Sequence, residues 1–544
     1  MNPSRLLAPV RDVLGNGAMA RVQAAWLLSI AAEWAYLVAL LVFAYGVGGV
    51  AAAGLIATLR MLPPVIGAPL ATTLADRFPT PAVLAGVNAL RALVVIASAA
   101  ILVVDGPAAL IFVAAMVEGL LAVLKRPATL SLLPGLARTP EELVAGNAVM
   151  SSGEAIGVLV GPAAASLMLG LGGLEVALAA PAIALFAAAG LTATIHAAAH
   201  RAGARRGMLR ELGGGFRALR QHSTAGLVAG LFSAQTFVRG LLTVLLVAAS
   251  VELLGFGEGG VGWLNSAIGA GGLIGATGAT VWMAGGRLGP AFTLALFVWG
   301  LPIAAVGLVP VGWLAIGMMA VVGIANASLD VAGLTLMQRS VPNAVRARVF
   351  GSFEGIAALT FALGSLAAAP LVDLIGLRPA LVVTGAILPA LALVSAPAVR
   401  RADASAIVPR RELDLLRGDP LFAPLSLVIL EQLAQSMTLE RAVAGTAIVT
   451  QGEVGDAYRI LAGGTADVVR DRQLLRTLGP GDGFGEIALL EDRPRTASVV
   501  ATTAVVLHRL PRGAFLDAVA GTPDSARAAD RLVTDRLATL DTGS

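Results

Sequence analysis

Residues Gly483–Ala501 read GFGEIALLEDRPRTASVVA, and this stretch decides the fold of the C-terminal part of the chain. Gly485 lets the backbone turn sharply and approach a ligand. The apolar run after it predicts a short helix over Glu486–Leu490. The first amides of such a helix lack internal partners and point at an anion. Arg495, nine residues after Glu486, supplies a charged fork that suits phosphate oxygens. Ala488 and Ala497 keep the space between them small. Glycines recur around this stretch at 445, 452, 455, 463, 464, 479, 481, 483 and 485, the punctuation of short strands joined by turns. A helix is predicted before the strands, in LFAPLSLVILEQLAQSM from Leu421. Another is predicted after them, from Arg512 to Leu540. Residues 421–544 therefore read as an α+β domain with a β-roll.

Toward the N-terminus the solvent changes. The 544-residue chain is 57% hydrophobic and 13% charged, with mean hydropathy +0.84, whereas soluble proteins are about 25% charged. Residues 1–400 hold 37 charged residues and the much shorter remainder holds 35. These figures exclude a purely soluble globular protein and a disordered one, and predict a polytopic α-helical membrane protein. A span needs about 20 mostly apolar residues. Twelve such runs fall at 20–45, 48–75, 81–103, 107–127, 142–170, 173–197, 224–253, 259–284, 288–308, 311–337, 346–372 and 377–398. The membrane domain is thus 1–398, with halves at about 18–197 and 224–398, a basic linker at 198–223, and a second linker at 399–420.

Basic residues in short loops set orientation. Arg5, Arg11, Arg21, Arg77, Lys125, Arg126, Arg138, Arg287, Arg339, Arg346, Arg348 and the Arg201–Arg220 cluster fall on one side, against Arg378 on the other. Both termini and the C-terminal domain are expected on the cytoplasmic side of the inner (plasma) membrane, embedded in its lipid bilayer. The first residues lack the compact apolar run of a signal peptide. The pI near 10.2 does not point to nucleic acid. Residues 1–420 carry 26 basic and 19 acidic residues, and residues 421–544 carry 12 and 15, so the excess belongs to the membrane part. With no cysteine and four scattered histidines, neither a thiol nor a histidine metal site is expected. No metal, cofactor or enzymatic activity is expected.

One feature indicates repetition. GVGGV at Gly46–Val50 recurs as GEGGV at Gly257–Val261, and each copy precedes the second span of its half. Parallel six-span repeats are a known transporter architecture. The loop LADRF at Leu74–Phe78 resembles the signature after the second span of the major facilitator superfamily. GVLVGP at Gly157–Pro162 resembles a signature of its antiporters and exporters. The stretches Arg126–Pro162 and Leu336–Gly355 are similar to its drug and siderophore exporter branch. The resemblance implies the major facilitator fold of two six-helix repeats, and a conformational role for Asp76, Arg77, Gly157, Gly161 and Pro162. At Thr72 and Pro79 the chain departs from the family's glycines.

Charges inside spans are functional hypotheses by default. Glu33, Arg60, Glu118 and Glu154 fall near mid-membrane in spans 1, 2, 4 and 5. One reading is a polar cavity in which carboxylates accept a coupling ion, H+, or the substrate. The other is buried ion pairs that lock spans together. Arg91, Arg239, Asp330 and Glu354 also lie within spans, mostly nearer an end.

The stretch Gly483–Ala501, with QGEVGD at Gln451–Asp456, resembles the phosphate-binding cassette of cyclic nucleotide-binding domains. That implies a nucleotide site made by Gly485, Glu486, Ile487, Ala488, Arg495, Thr496 and Ala497, with Glu486 accepting from the ribose 2′-hydroxyl. Cyclic AMP is the favoured ligand. The Thr496 hydroxyl resembles domains that also hold guanine, so cGMP stays open. The chain leaves no room for a helix-turn-helix after about residue 540, which argues against a nucleic-acid partner. The combined expectation is a secondary active transporter regulated by a cyclic nucleotide, an ion-coupled exporter of a small amphipathic molecule. The alternative is a membrane-tethered nucleotide receptor on a transporter-like scaffold.

Overall fold

The computed structural model describes residues 13–195, 217–283, 288–405 and 410–520, except positions 14, 78, 218, 342, 424 and 426 and the side chains of 62–77 and of some further residues. Asp76 and Arg77 lie in a helix, but their side chains are outside the described residues, as is Arg287. So are most of the basic linker and the part of the expected Arg512–Leu540 helix after Ala520.

The chain divides into two compact units, Met1–Ser405 and Ala406–Ser544. The first is helical: α1 Gly17–Arg77, α2 Thr80–Val103, α3 Ala108–Leu136, α4 Pro140–Ala179, α5 Pro181–Ala193, α6 Ser223–Ala248, α7 Gly260–Met283, α8 Leu288–Leu308, α9 Gly312–Ser340, α10 Asn343–Ile375 and α11 Leu377–Ser405. One π-helical turn, Ala249–Leu253, extends α6. Among the described residues, nine helices are long and apolar enough to cross a membrane.

Glycines decide where two of these helices break. Within α1, Gly48 (φ −157°, ψ 31°) and Gly49 (φ 59°, ψ −148°) are non-helical. Within α4, Gly172 and Gly173 are non-helical, Gly173 at φ 72°. A positive φ is the region glycine enters without a Cβ penalty. GVGGV therefore sits at a break inside α1, and its repeat GEGGV sits at the turn into α7. Thr139 caps α4 by accepting from the Glu142 amide at 3.1 Å, and Glu142 reaches back to the Arg138 amide at 2.6 Å. This is the reciprocal arrangement of a capping box, shifted by one residue.

Small residues bring helices into backbone contact. A Cβ at Gly157 would strike Ile30, and one at Gly161 would strike Ala31 O and Trp34, so α4 lies against α1. The two halves meet through Thr58 Oγ1, which donates to Ala362 O at 3.1 Å, and Ser266 Oγ, which donates to Leu159 O at 2.8 Å. A Cβ at Gly54 would strike Ser365 O, and one at Gly262 would strike Pro162 O.

The second unit holds α12 Arg410–Gly418, α13 Leu427–Ser436, eight strands, α14 Glu486–Leu490 and α15 Arg512–Ala520. The strands form two antiparallel four-stranded sheets. In strand order β1 (Thr438–Ala442), β2 (Ala447–Val449), β3 (Ala457–Gly463), β4 (Ala466–Arg470), β5 (Gln473–Leu478), β6 (Gly483–Phe484), β7 (Ser498–Ala501) and β8 (Val505–Pro511), one sheet runs β1-β8-β3-β6 and the other β2-β7-β4-β5. Leu461, Leu478, Phe484, Val499 and Leu507 belong to one buried core of the roll. A second core joins the first sheet to helices through Phe422, Tyr458 and Phe515, whose rings lie 5.0–6.0 Å apart.

Among its described residues, the segment 399–420 is largely helical. Helix α11 runs through it to Ser405, and α12 packs its Leu416, fully buried, into the second core. Asp419 accepts the Tyr458 hydroxyl at 2.6 Å. The charged letters of RRELDLLRGDP concealed an amphipathic turn whose leucines face inward.

Candidate functional site

The cassette folds as its residues dictate. Gly485 takes φ +99°, and a helix begins at Glu486. A Cβ at Gly485 would strike Nη1 of Arg495, so only glycine leaves room for the arginine. Arg495 is buried and held at both nitrogens of its fork. Nη1 donates to Gly485 O at 2.9 Å, and Nη2 donates to Ala457 O at 2.8 Å and to Asp456 Oδ1 at 3.1 Å. The backbone of Arg495 is tied to the QGEVGD loop: its amide donates to Glu453 O at 2.8 Å, and the Gly452 amide donates to Arg495 O at 2.9 Å. The two stretches singled out in the sequence thus clasp each other.

All seven expected residues, Gly485, Glu486, Ile487, Ala488, Arg495, Thr496 and Ala497, line one cavity of about 240 Å³. Val449, Val468, Leu475, Arg476, Phe484 and Val499 complete its wall. Val449, Val468, Leu475 and Arg476 sit on strands outside Gly483–Ala501, and no local signal marked them. Apolar side chains and the buried Arg495 and Glu486 line the same cavity.

Electrostatics tie Arg495 to the sheet. Burial alone would raise the Asp456 carboxyl, but hydrogen bonds and charge from Arg459, and a hydrogen bond from Arg509, hold it well below the usual carboxylate range. Burial and the nearby Arg459 push the Arg495 guanidinium down, and Asp456 opposes them.

In the membrane unit the structure brings together three of the four expected charges and adds two. Arg60 Nε donates to Glu118 Oε2 at 3.0 Å. Arg91 donates to Glu118 Oε1 from Nη2 at 2.7 Å and from Nε at 3.0 Å, and to Ser29 Oγ from Nη1 at 2.8 Å. Arg91 Nη2 also reaches Glu33 Oε2 at 3.3 Å. Lys125 Nζ donates to Glu33 Oε2 at 2.6 Å and stands 5.0 Å from the centre of the Trp26 ring. Glu118 is closed off at 1% side-chain exposure, while Glu33 keeps 24%. Glu154 pairs with Arg126 at 3.6 Å, both well exposed.

The sequence reading counts Lys125 among the loop charges, yet it lies within α3 and joins the cluster with Arg91 of α2. The signal that could have found Lys125 was its identity: it is the one lysine among 38 basic residues. In the second half, Asp330 accepts from Asn326 at 2.9 Å, and Asn326 Oδ1 accepts from Gln235 and Trp299, each at 3.2 Å.

Comparison with known proteins covers both units. Residues 24–359 match the family model described as Major Facilitator Superfamily, and residues 439–521 match the model described as Cyclic nucleotide-binding domain. A cAMP-dependent protein kinase regulatory subunit of Yarrowia lipolytica is 36% identical over 102 residues, covering 18% of this chain and 27% of the relative. A cGMP-dependent protein kinase of Plasmodium berghei is 43% identical over 70 residues, 13% of this chain and 8% of the relative. The chain spans about a quarter or less of the length of these relatives. A solved structure titled as the regulatory domain of Toxoplasma gondii PKA with cAMP is 30% identical, covers 20% of this chain and 42% of its own, and has a TM-score of 0.19.

Proposed function

We propose a cyclic nucleotide-regulated secondary transporter, from the premise that this chain belongs to the Major Facilitator Superfamily. Its membrane unit would run as twelve spans in two six-helix repeats. The breaks at Gly48–Gly49 and Gly172–Gly173 support that count, since they turn α1 and the α4–α5 pair into two spans each. The basic residues between spans support a cytoplasmic second unit at the plasma membrane. The transported molecule is a small amphipathic compound, moved outward against coupled H+, with Glu33 as the proton-exchanging carboxylate. The exporter direction rests on the likeness of Arg126–Pro162 and Leu336–Gly355 to that branch.

The observation that carries the regulatory reading is that the seven cassette residues line one cavity. A relative that binds cAMP by name shares the domain. Cyclic AMP is the ligand of choice here, with cGMP as its competitor. Nucleotide would bias one transporter state, and a ligand that binds one state tenfold better shifts the balance by about 1.4 kcal/mol. That changes flux severalfold without an on–off switch.

The experiment is maleimide labelling of single cysteines introduced into the spans of this Cys-free chain, with and without saturating cAMP, in full-length protein and in a truncation after Ser405. Nucleotide-dependent labelling in the full-length protein only is the expected result. Unchanged labelling in both would reduce the second unit to a tether.

A further inference from the structure

We infer that the transported molecule carries an anionic group, a carboxylate or a phosphate ester, and that it binds at the cluster of Arg60, Arg91, Lys125, Glu33 and Glu118. The inference deepens the transporter reading above and rests on it.

The charge count comes first. Among the described residues three cations meet two carboxylates, and four of these five are nearly sealed: Arg91 is 0% exposed, Glu118 1%, Arg60 3% and Lys125 4%. A buried charge without a counter-charge is strongly unfavourable at membrane depth. Protonating Glu33 or Glu118 only enlarges the positive excess. Only loss of the Lys125 proton would balance it. Glu154 is paired elsewhere, with Arg126.

A second, independent observation is an unmet donor within the cluster. Nη2 of Arg60 is buried and has no hydrogen-bond partner. Its approach to Glu33 Oε1 is 3.6 Å, too long for a hydrogen bond. Glu33 is the exposed edge of the cluster and already shares its Oε2 between Lys125 and Arg91. An anion arriving at this edge takes the idle Arg60 donor and competes with Glu33 for Lys125 and Arg91. A cationic or neutral head gains nothing from the excess charge.

Trp26 provides the readout, since Lys125 stands over its ring. Full-length protein in phosphatidylcholine nanodiscs is titrated with octanoate, octyl phosphate, octyltrimethylammonium and octyl glucoside, with Trp26→Phe to identify the responding signal. The expected result is that both anions change Trp26 emission and bind at least about tenfold tighter than the other two. Lys125→Arg, which keeps a permanent charge, is expected to retain the preference, and Lys125→Gln to lose it. Nanodiscs of phosphatidylglycerol distinguish the source: if a bilayer lipid supplies the anion, the soluble probes lose their effect there and the inference stands. Equal or tighter binding of the ammonium or the glucoside, or binding of no probe, overturns it. A neutral or cationic probe that binds and undergoes saturable counterflow leaves the transporter reading intact while removing this one. Anion binding without counterflow of any probe counts instead against transport.

Discussion

Nη2 of Arg495 donates to Oδ1 of Asp456 at 3.1 Å, and the same carboxylate accepts from Arg459 and Arg509, each also at 3.1 Å at its shortest. One carboxylate thus joins the cassette arginine to two arginines on the sheet, so a nucleotide that engages Arg495 acts on a group already fixed to β3 and β8.

Replacing Arg495 by alanine is expected to lower cyclic AMP affinity by about 2–5 kcal/mol, the range for truncating one partner of a hydrogen-bonded charge pair. Asp456→Ala removes only one of three groups orienting the guanidinium, so its loss should be smaller. Isothermal titration of the two variants beside wild type checks the order. Equal affinity of Arg495→Ala and wild type would rule out the cassette as the phosphate site.

Glu486→Ala should act on selectivity more than affinity. Glu486 lines the cavity and is buried. Its loss should narrow the preference for cyclic AMP over its 2′-deoxy analogue, measured by competition binding.

Where the second unit begins can be tested by truncation. A fragment starting at residue 406 keeps Leu416 and Asp419, and should fold. One starting at 421 loses a fully buried leucine and the Tyr458–Asp419 hydrogen bond. The leucine alone is expected to remove about 2–5 kcal/mol, seen as a lower midpoint in urea.

His508 makes that fragment sensitive to acid. It is buried on β8, with Nδ1 3.2 Å from Glu412 of α12. Burial holds its imidazole below the ordinary value, against the pull of Glu412, and Arg411 adds to the depression. The unfolded chain therefore binds the proton more readily. This contribution to stability is present above about pH 6.5 and is lost as pH falls from there through the folded value. The slope should not exceed about 1.4 kcal/mol per pH unit, and His508→Gln should flatten it. An unchanged slope in the variant would assign the effect elsewhere.

The two membrane carboxylates should separate. Glu118 accepts from both arginines and is sealed. Glu118→Gln leaves two buried cations undercompensated and should destabilise the unit by about 3–5 kcal/mol, read as a lower unfolding temperature. Glu33→Gln, at the exposed edge, should keep the fold while flattening the pH dependence of transport in proteoliposomes. Full activity with unchanged pH dependence would make Glu33 structural.

What the sequence by itself determined was local chemistry. Glu486–Leu490 was legible as a helix because Gly485 and the apolar residues after it act within a few positions. Long apolar helices were legible because lipid imposes composition on whole runs. Arg495 and Glu486 stood out because their stretch resembles a known cassette, and the structure brings both to one cavity. Tertiary structure decided the rest. Lys125 and Arg91 join Glu33 and Glu118 only when α1, α2 and α3 pack, and no spacing along one chain encodes a contact between 92 positions in sequence. Leu416 turned a charged segment into core because burial depends on what a helix face meets, not on its average polarity. Glu154 resembled Glu118 along the chain, yet pairs with an exposed Arg126: depth in a span is a property of one helix, whereas the direction a side chain faces is settled by its neighbours.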